Sequence, residues 1–120
     1  MRIGGIRTLD GPNVYHHRPV LVMELHLEEL DGRESREFPG FDDVLLALLP
    51  GLKRHHCGLG REGGFLERLR TGTYFGHVVE HVAIEMASML GSPVTFGKTR
   101  RAHEPGLYHV IVRFRSERAM

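Results

Sequence analysis

The chain has 120 residues, of which 41% are hydrophobic and 26% charged, with 16 basic against 15 acidic side chains and a formal net charge of +1. This is the composition of a globular protein with one core, and so even a charge balance gives no reason to expect nucleic acid as a partner. The N-terminus lacks a signal-peptide core, no apolar run could span a membrane, and the single cysteine, Cys57, has no internal disulfide partner; one cytoplasmic domain, 1–120, is expected.

Residues 2–10 read as a first strand, closed by the turn cluster Asp10-Gly11-Pro12-Asn13. Residues 19–28 alternate. Leu21, Met23, Leu25 and Leu27 fall on one side, Val20, Val22, Glu24, His26 and Glu28 on the other, the pattern of a half-buried strand. Asp42 and Asp43 open an apolar helical segment at 44–49, where acids suit a helix N-terminus, and Pro50-Gly51 stops it. The stretch 53–64 carries four glycines and few apolar residues. So long a connection in a compact domain is commonly functional. A short helix starts at 65–69, and Thr71 or Thr73 caps a longer one running to about residue 90, with Gly91 at its C′ position. Segments 93–100 and 106–115 read as two more strands; in the last, Tyr108, Val110, Val112 and Phe114 alternate with His109, Ile111 and Arg113. The order strand-strand-helix-helix-strand-strand predicts an α+β two-layer sandwich. It would have about four mainly antiparallel strands, with helices packed on one face.

Residues 76–85, inside the longer helix, read Gly-His-Val-Val-Glu-His-Val-Ala-Ile-Glu. At about 100° per residue, His81 lies ~40° around the axis from His77, Glu85 ~80°, and Glu80 ~60° to the other side. Two imidazoles and two carboxylates therefore share a stripe. Val78, Val79, Val82, Ala83 and Met86 fall opposite and are expected to seat the helix on the core. His-x-x-Glu-His is the inverted zincin order. Zinc accepts imidazole nitrogen and carboxylate oxygen, and a neighbouring glutamate can take a proton from water. The alternative is a solvated His/Glu face in a chain with 9 histidines.

Three runs carry a wider likeness: Asp10-Gly11-Pro12-Asn13, the stretch 55–69 (His-His-Cys-Gly-Leu-Gly-Arg-Glu-Gly-Gly-Phe-Leu-Glu-Arg-Leu), and residues 76–85. Together they resemble the N-terminal domain of the cyanophycin synthetases. Phe96-Gly97-Lys98-Thr99-Arg100 and Pro105-Gly106-Leu107-Tyr108 extend the resemblance over almost the whole chain. Members of that family are large enzymes that use ATP to polymerise aspartate and arginine into a branched peptide. Their ATP-grasp and Mur-ligase-like domains follow this one. Neither lies within these residues, so ligase chemistry is not expected of this chain by itself. For the N-terminal domain the resemblance implies docking of the Asp/Arg polymer. In some members it also implies a metal-dependent peptidase site that trims polymer into primers, matched here by His77, Glu80 and His81. Association with ligase domains, or self-association, belongs to the same expectation.

His77 and His81 are therefore the expected zinc ligands. Glu85 is the expected third, since helical side chains lean toward the N-terminus, although two turns, ~12 Å, separate it from His77. His55 or His56 could replace it. Glu80 is the candidate general base, or else a hydrogen-bond partner that orients a ligand histidine. Arg61, Lys98, Arg100 and Arg101 are candidates for binding substrate carboxylates through forked hydrogen bonds, against the simpler role of solvated charge. Cys57 is expected to be a small buried hydrophobe. The expected function is zinc-dependent hydrolysis of a bound Asp/Arg polymer. The competing reading is a non-catalytic polymer-binding or accessory module whose metal site is structural or vestigial.

Overall fold

The alternating apolar run at 20–26 forms an inner strand of a four-stranded antiparallel sheet. The computed structural model describes residues 1–16, 18–56, 62–89 and 97–113. It orders β1 (Arg2–Leu9), β2 (Val20–His26), β3 (Gly97–Arg101) and β4 (Leu107–Arg113) as β1-β2-β4-β3, with every neighbouring pair antiparallel. Three helices lie between β2 and β3: α1 (Phe41–Leu48), α2 (Gly64–Thr71) and α3 (Phe75–Met89). This is the expected α+β sandwich, with the 41–48 segment adding a helix of its own. Of the predicted strand at 93–100, residues 93–96 lie outside the described residues, as does Gly91. Among the described residues no helix is long and apolar enough to cross a membrane.

Register decides what each sheet face carries. Met23 and Leu25 pair with Val110 and Tyr108, and these residues join Leu46, Leu52, Phe65, Leu69, Phe75 and Val78 from the helical layer in the main core. On the other face, Val20, Val22 and Ile111 are fully buried beneath Leu9 and Tyr15. The expectation of a half-buried β2 is therefore corrected: its first half is covered on both faces. The cover comes from the loop after β1. Asn13 Oδ1 accepts the backbone N–H groups of Tyr15 and His16, while its amide donates to the carbonyls of Asp10 and Arg18. Such a side-chain-closed turn folds Tyr15 back onto the strand. Alternation reports two faces of different polarity but not which loops return to cover them.

The corner between α2 and α3 is tied down by Ser35. Its hydroxyl donates to the Leu69 carbonyl and accepts the Thr73 N–H, and its own N–H bonds the Thr73 carbonyl. From that corner α3 runs directly over β3. Its first turn can approach closely because residue 76 is glycine: a Cβ there would stand 2.9 Å from Thr99 Cγ2. Thr99 has little freedom to retreat, because its χ1 is restricted and its hydroxyl is bonded to α3 at Gly76 O and Glu80 Oε1.

Gly76→Ala sets two effects against each other. Alanine gains about 1 kcal/mol of helix propensity over glycine, whereas overpacking a tight contact costs about 1–3 kcal/mol. A net loss of up to about 2 kcal/mol is expected in urea unfolding. A variant more stable than the parent would mean that Thr99 yields freely and that the close approach is not a constraint.

Candidate metal centre

The helical spacing does place His77, Glu80 and His81 on one stripe of α3, and the fold turns that stripe inward. Glu80 is 8% exposed and His81 4%, while Met86, expected on the core side, is 54% exposed. Val78 is buried as expected, and Val79, Val82 and Ala83 are half-buried. The correction has a simple cause. α3 is covered from two directions, by β3 and β4 beneath and by α2 with the Pro50–Arg54 turn beside it, so more than one arc of the helix is interior.

Burial obliges each ring nitrogen to find a partner. His77 Nδ1 lies 2.9 Å from Thr73 Oγ1, and His81 Nδ1 lies 3.0 Å from His55 Nδ1. With both Nδ1 atoms engaged, the Nε2 atoms are the ones left to serve a shared centre. One ligand-capable atom from each of His77, Glu80 and His81 lies within 4.8 Å of the others. Glu80 divides its oxygens: Oε1 accepts the Thr99 hydroxyl at 2.7 Å, and Oε2 stands 4.0 Å from His81 Nε2. Phe65 forms the wall. It stacks on the His81 ring at 4.2 Å and 19° and meets His77 edge-on at 5.6 Å, and the two imidazoles are themselves perpendicular at 4.7 Å.

Electrostatics follow from the same burial. Desolvation, then the nearby His77 and His55, push the His81 pKa down to about 3, and desolvation followed by Arg68 lowers that of His77. Both rings are neutral at pH 7, the state that metal ligation needs. Burial raises the Glu80 pKa against the opposing Thr99 hydrogen bond. That direction suits a group which must accept a proton near neutrality.

Residues 21–120 match the sequence model of the cyanophycin synthase-like N-terminal domain. The chain belongs to that family. It is 46% identical to a cyanophycin synthetase of Crocosphaera subtropica, 44% to one of Synechocystis sp. and 42% to one of Geminocystis herdmanii, each alignment covering 99% of this chain and 14% of the relative. The chain therefore spans about one seventh of the length of these curated relatives.

Within this cyanophycin synthase-like domain the remaining candidate residues are dispersed. Glu85 is not in the three-residue cluster; its Oε1 lies 2.9 Å from His55 Nε2. His55 turns inward while His56 is exposed. Lys98 and Arg100 pair with Ile111 and His109, on the sheet face away from the helices, whereas Arg101 pairs with Tyr108 on the helix side. The sheet thus separates Lys98 and Arg100 from the imidazole cluster. Arg61 and Cys57 lie outside the described residues. Thr99 and Phe65 were not anticipated at the site, and no local pattern points to either. Thr73 was legible, four residues before His77, but as a helix cap. Its hydroxyl turns to the imidazole instead, and that of Thr71 donates to Glu67 O.

The pKa of His81 makes a signed prediction. Its folded value of about 3 lies below the ordinary 6.5, so on acidification the unfolded chain binds a proton that the folded chain does not. Stability is complete above the unfolded value and falls as pH drops below it. Between pH 7 and 5 this group should cost about 2 kcal/mol. In urea titrations of metal-free protein, His81→Gln should show a pH dependence weaker by that amount. Glu80, which acts with the opposite sign, is common to both proteins. Identical slopes would show that His81 binds protons in the fold as it does in the unfolded chain.

Proposed function

We propose that this domain holds zinc between His77 and His81 and hydrolyses an Asp/Arg peptide of the cyanophycin type, with Glu80 as the base. The observation that carries the reading is the pair of imidazoles on one helix face, His81 buried and His77 half-buried. Each has its Nδ1 tied to a partner, and both share a centre with a buried carboxylate. Imidazole nitrogens and a carboxylate are donors that zinc accepts. A zinc ion held there would lower the pKa of water toward 7 and polarise a substrate carbonyl.

The chain's own residues supply the rest. Glu80 Oε2 stands 4.0 Å from His81 Nε2, where it could act on a water held beside the two histidines. Thr99 holds Oε1, so Oε2 is the atom to accept a proton from the attacking water and return it to the leaving amide nitrogen. Among the described residues β3 pairs on one side only, with β4. A peptide crossing that edge would meet Arg101 and the Glu80 side on one face and Lys98 and Arg100 on the other. Trimmed chains could then serve as primers for ligase domains such as those of the longer synthetases.

One observation favours the non-catalytic alternative. His81 is 4% exposed and stacked under Phe65, as in the closed sites that hold structural zinc. In that case the domain docks polymer without cutting it.

Zinc content, polymer binding and cleavage separate the two readings. Protein purified without a histidine tag should carry close to one zinc per chain, and the double variant His77→Ala/His81→Ala should carry none. Glu80→Gln should keep zinc and polymer while cleavage of an Asp/Arg peptide falls about 10²–10⁴-fold. Binding of that polymer should exceed binding of poly-glutamate or DNA at moderate salt. Full zinc occupancy and polymer binding with no cleavage by the parent protein would favour the docking module.

A further inference from the structure

Glu85 and His55 leave the expected ligand set and make a contact of their own. Glu85 follows His81 by one helical turn, yet the two are bridged by His55, which reaches in from the segment after the Pro50–Arg54 turn. Glu85 Oε1 stands 2.9 Å from His55 Nε2, and His55 Nδ1 stands 3.0 Å from His81 Nδ1. We infer that His55 and Glu85 form a brace that sets the ring orientation and tautomer of His81, and are not themselves metal ligands.

The argument is a count of protons. With Glu85 Oε1 as the acceptor, the His55 nitrogen facing it carries a hydrogen. Where that is the ring's one N–H, His55 Nδ1 is bare. Two ring nitrogens 3.0 Å apart can bond only if one is protonated and the other is not, so His81 Nδ1 is the donor. His81 is left with its Nε2 lone pair turned toward the side where Glu80 Oε2 lies. The chain runs carboxylate, imidazole, imidazole, with each link fixing the direction of the next. It is the arrangement that commonly orients a ligand histidine, here one ring longer.

The surroundings are built to hold it. A Cβ at residue 51 would collide with the Glu85 carboxylate where it now stands, so a larger residue there would push the acid away from His55. The Phe65 N–H bonds the His55 carbonyl while the Phe65 ring stacks on His81. One residue therefore anchors both halves of the brace. Thr73 does the equivalent for His77. The competing assignment makes His55 a ligand through Nδ1, sharing an ion with His81 Nδ1. That would take the shared centre away from His81 Nε2, the ring nitrogen on the side of Glu80 Oε2.

The consequence for metal affinity rests on the zinc-site reading, but the tautomer can be read without metal. In long-range proton–nitrogen spectra of metal-free protein, His81 should carry its hydrogen on Nδ1. His55→Leu removes the acceptor and should release His81 to the Nε2–H form. His55→Asn, whose Oδ1 falls near the place of Nδ1, should keep it. In chelator competition, His55→Leu and Glu85→Ala should each weaken zinc binding about 10–100-fold, with His55→Asn recovering part of the loss. A wild-type His81 bearing its hydrogen on Nε2 would overturn the brace. So would equal and complete loss of zinc in both His55 variants, which would make His55 a ligand. If the Nδ1–H form is found in a protein that takes up no zinc, the brace stands and the metal reading fails.

Discussion

Burying polar side chains on α3 is the constraint around which this domain is organised. A hydroxyl, imidazole or carboxylate removed from water without a partner costs about 1–3 kcal/mol each, and more when charged. Glu80 and His81 are nearly sealed and His77 is half-buried, so their polar groups call for partners from other elements. The replies come from three places: Thr99 on β3, Thr73 at the α2–α3 corner, and His55 after the Pro50–Arg54 turn. Each lies on a segment whose own position is fixed by backbone or side-chain bonding. The network is thus a product of the whole fold.

The sheet topology provides the close approach this requires. With β3 at the edge and β4 inside it, α3 can lie across both, and Gly76 lets its first turn settle onto Thr99. The same threonine then serves twice, as the packing surface for the helix and as the hydrogen-bond donor to Glu80. Phe65 also has two roles, as a fully buried core residue and as the stacking partner of His81. Core and site share residues, so a change that loosens one is felt in the other. This is the behaviour expected of interiors packed to crystal-like density.

Membership of the cyanophycin synthase-like N-terminal family and the proposed chemistry meet at the His-x-x-Glu-His stripe. Family membership by itself relates the chain to about one seventh of the curated synthetases; it says nothing of what the two imidazoles are for. The proposed zinc site rests instead on the geometry, with the Nδ1 atom of each ring tied to a partner and His81 Nε2 on the side of Glu80. The basic residues on β3 tell a different story. Strand alternation puts Lys98 and Arg100 across the sheet from Arg101, so three cations close in sequence do not share one face.

The sequence by itself determined the α+β layering, a long helix through residues 76–85 and the shared stripe of His77, Glu80 and His81. Those features follow from periodicities of 2.0 and 3.6 residues, which are local properties of the backbone. Only the tertiary structure decided that the stripe faces inward and that Val20 and Val22 are covered. It also decided that Glu85 answers to His55 rather than joining the cluster. Helical phase gives the angle between residues on one element, but burial and partnership depend on which distant segments return to cover it. Thr99, Phe65 and His55 reach α3 from 19, 16 and 26 positions away from the side chains they hold, and no spacing within the helix encodes where they will land.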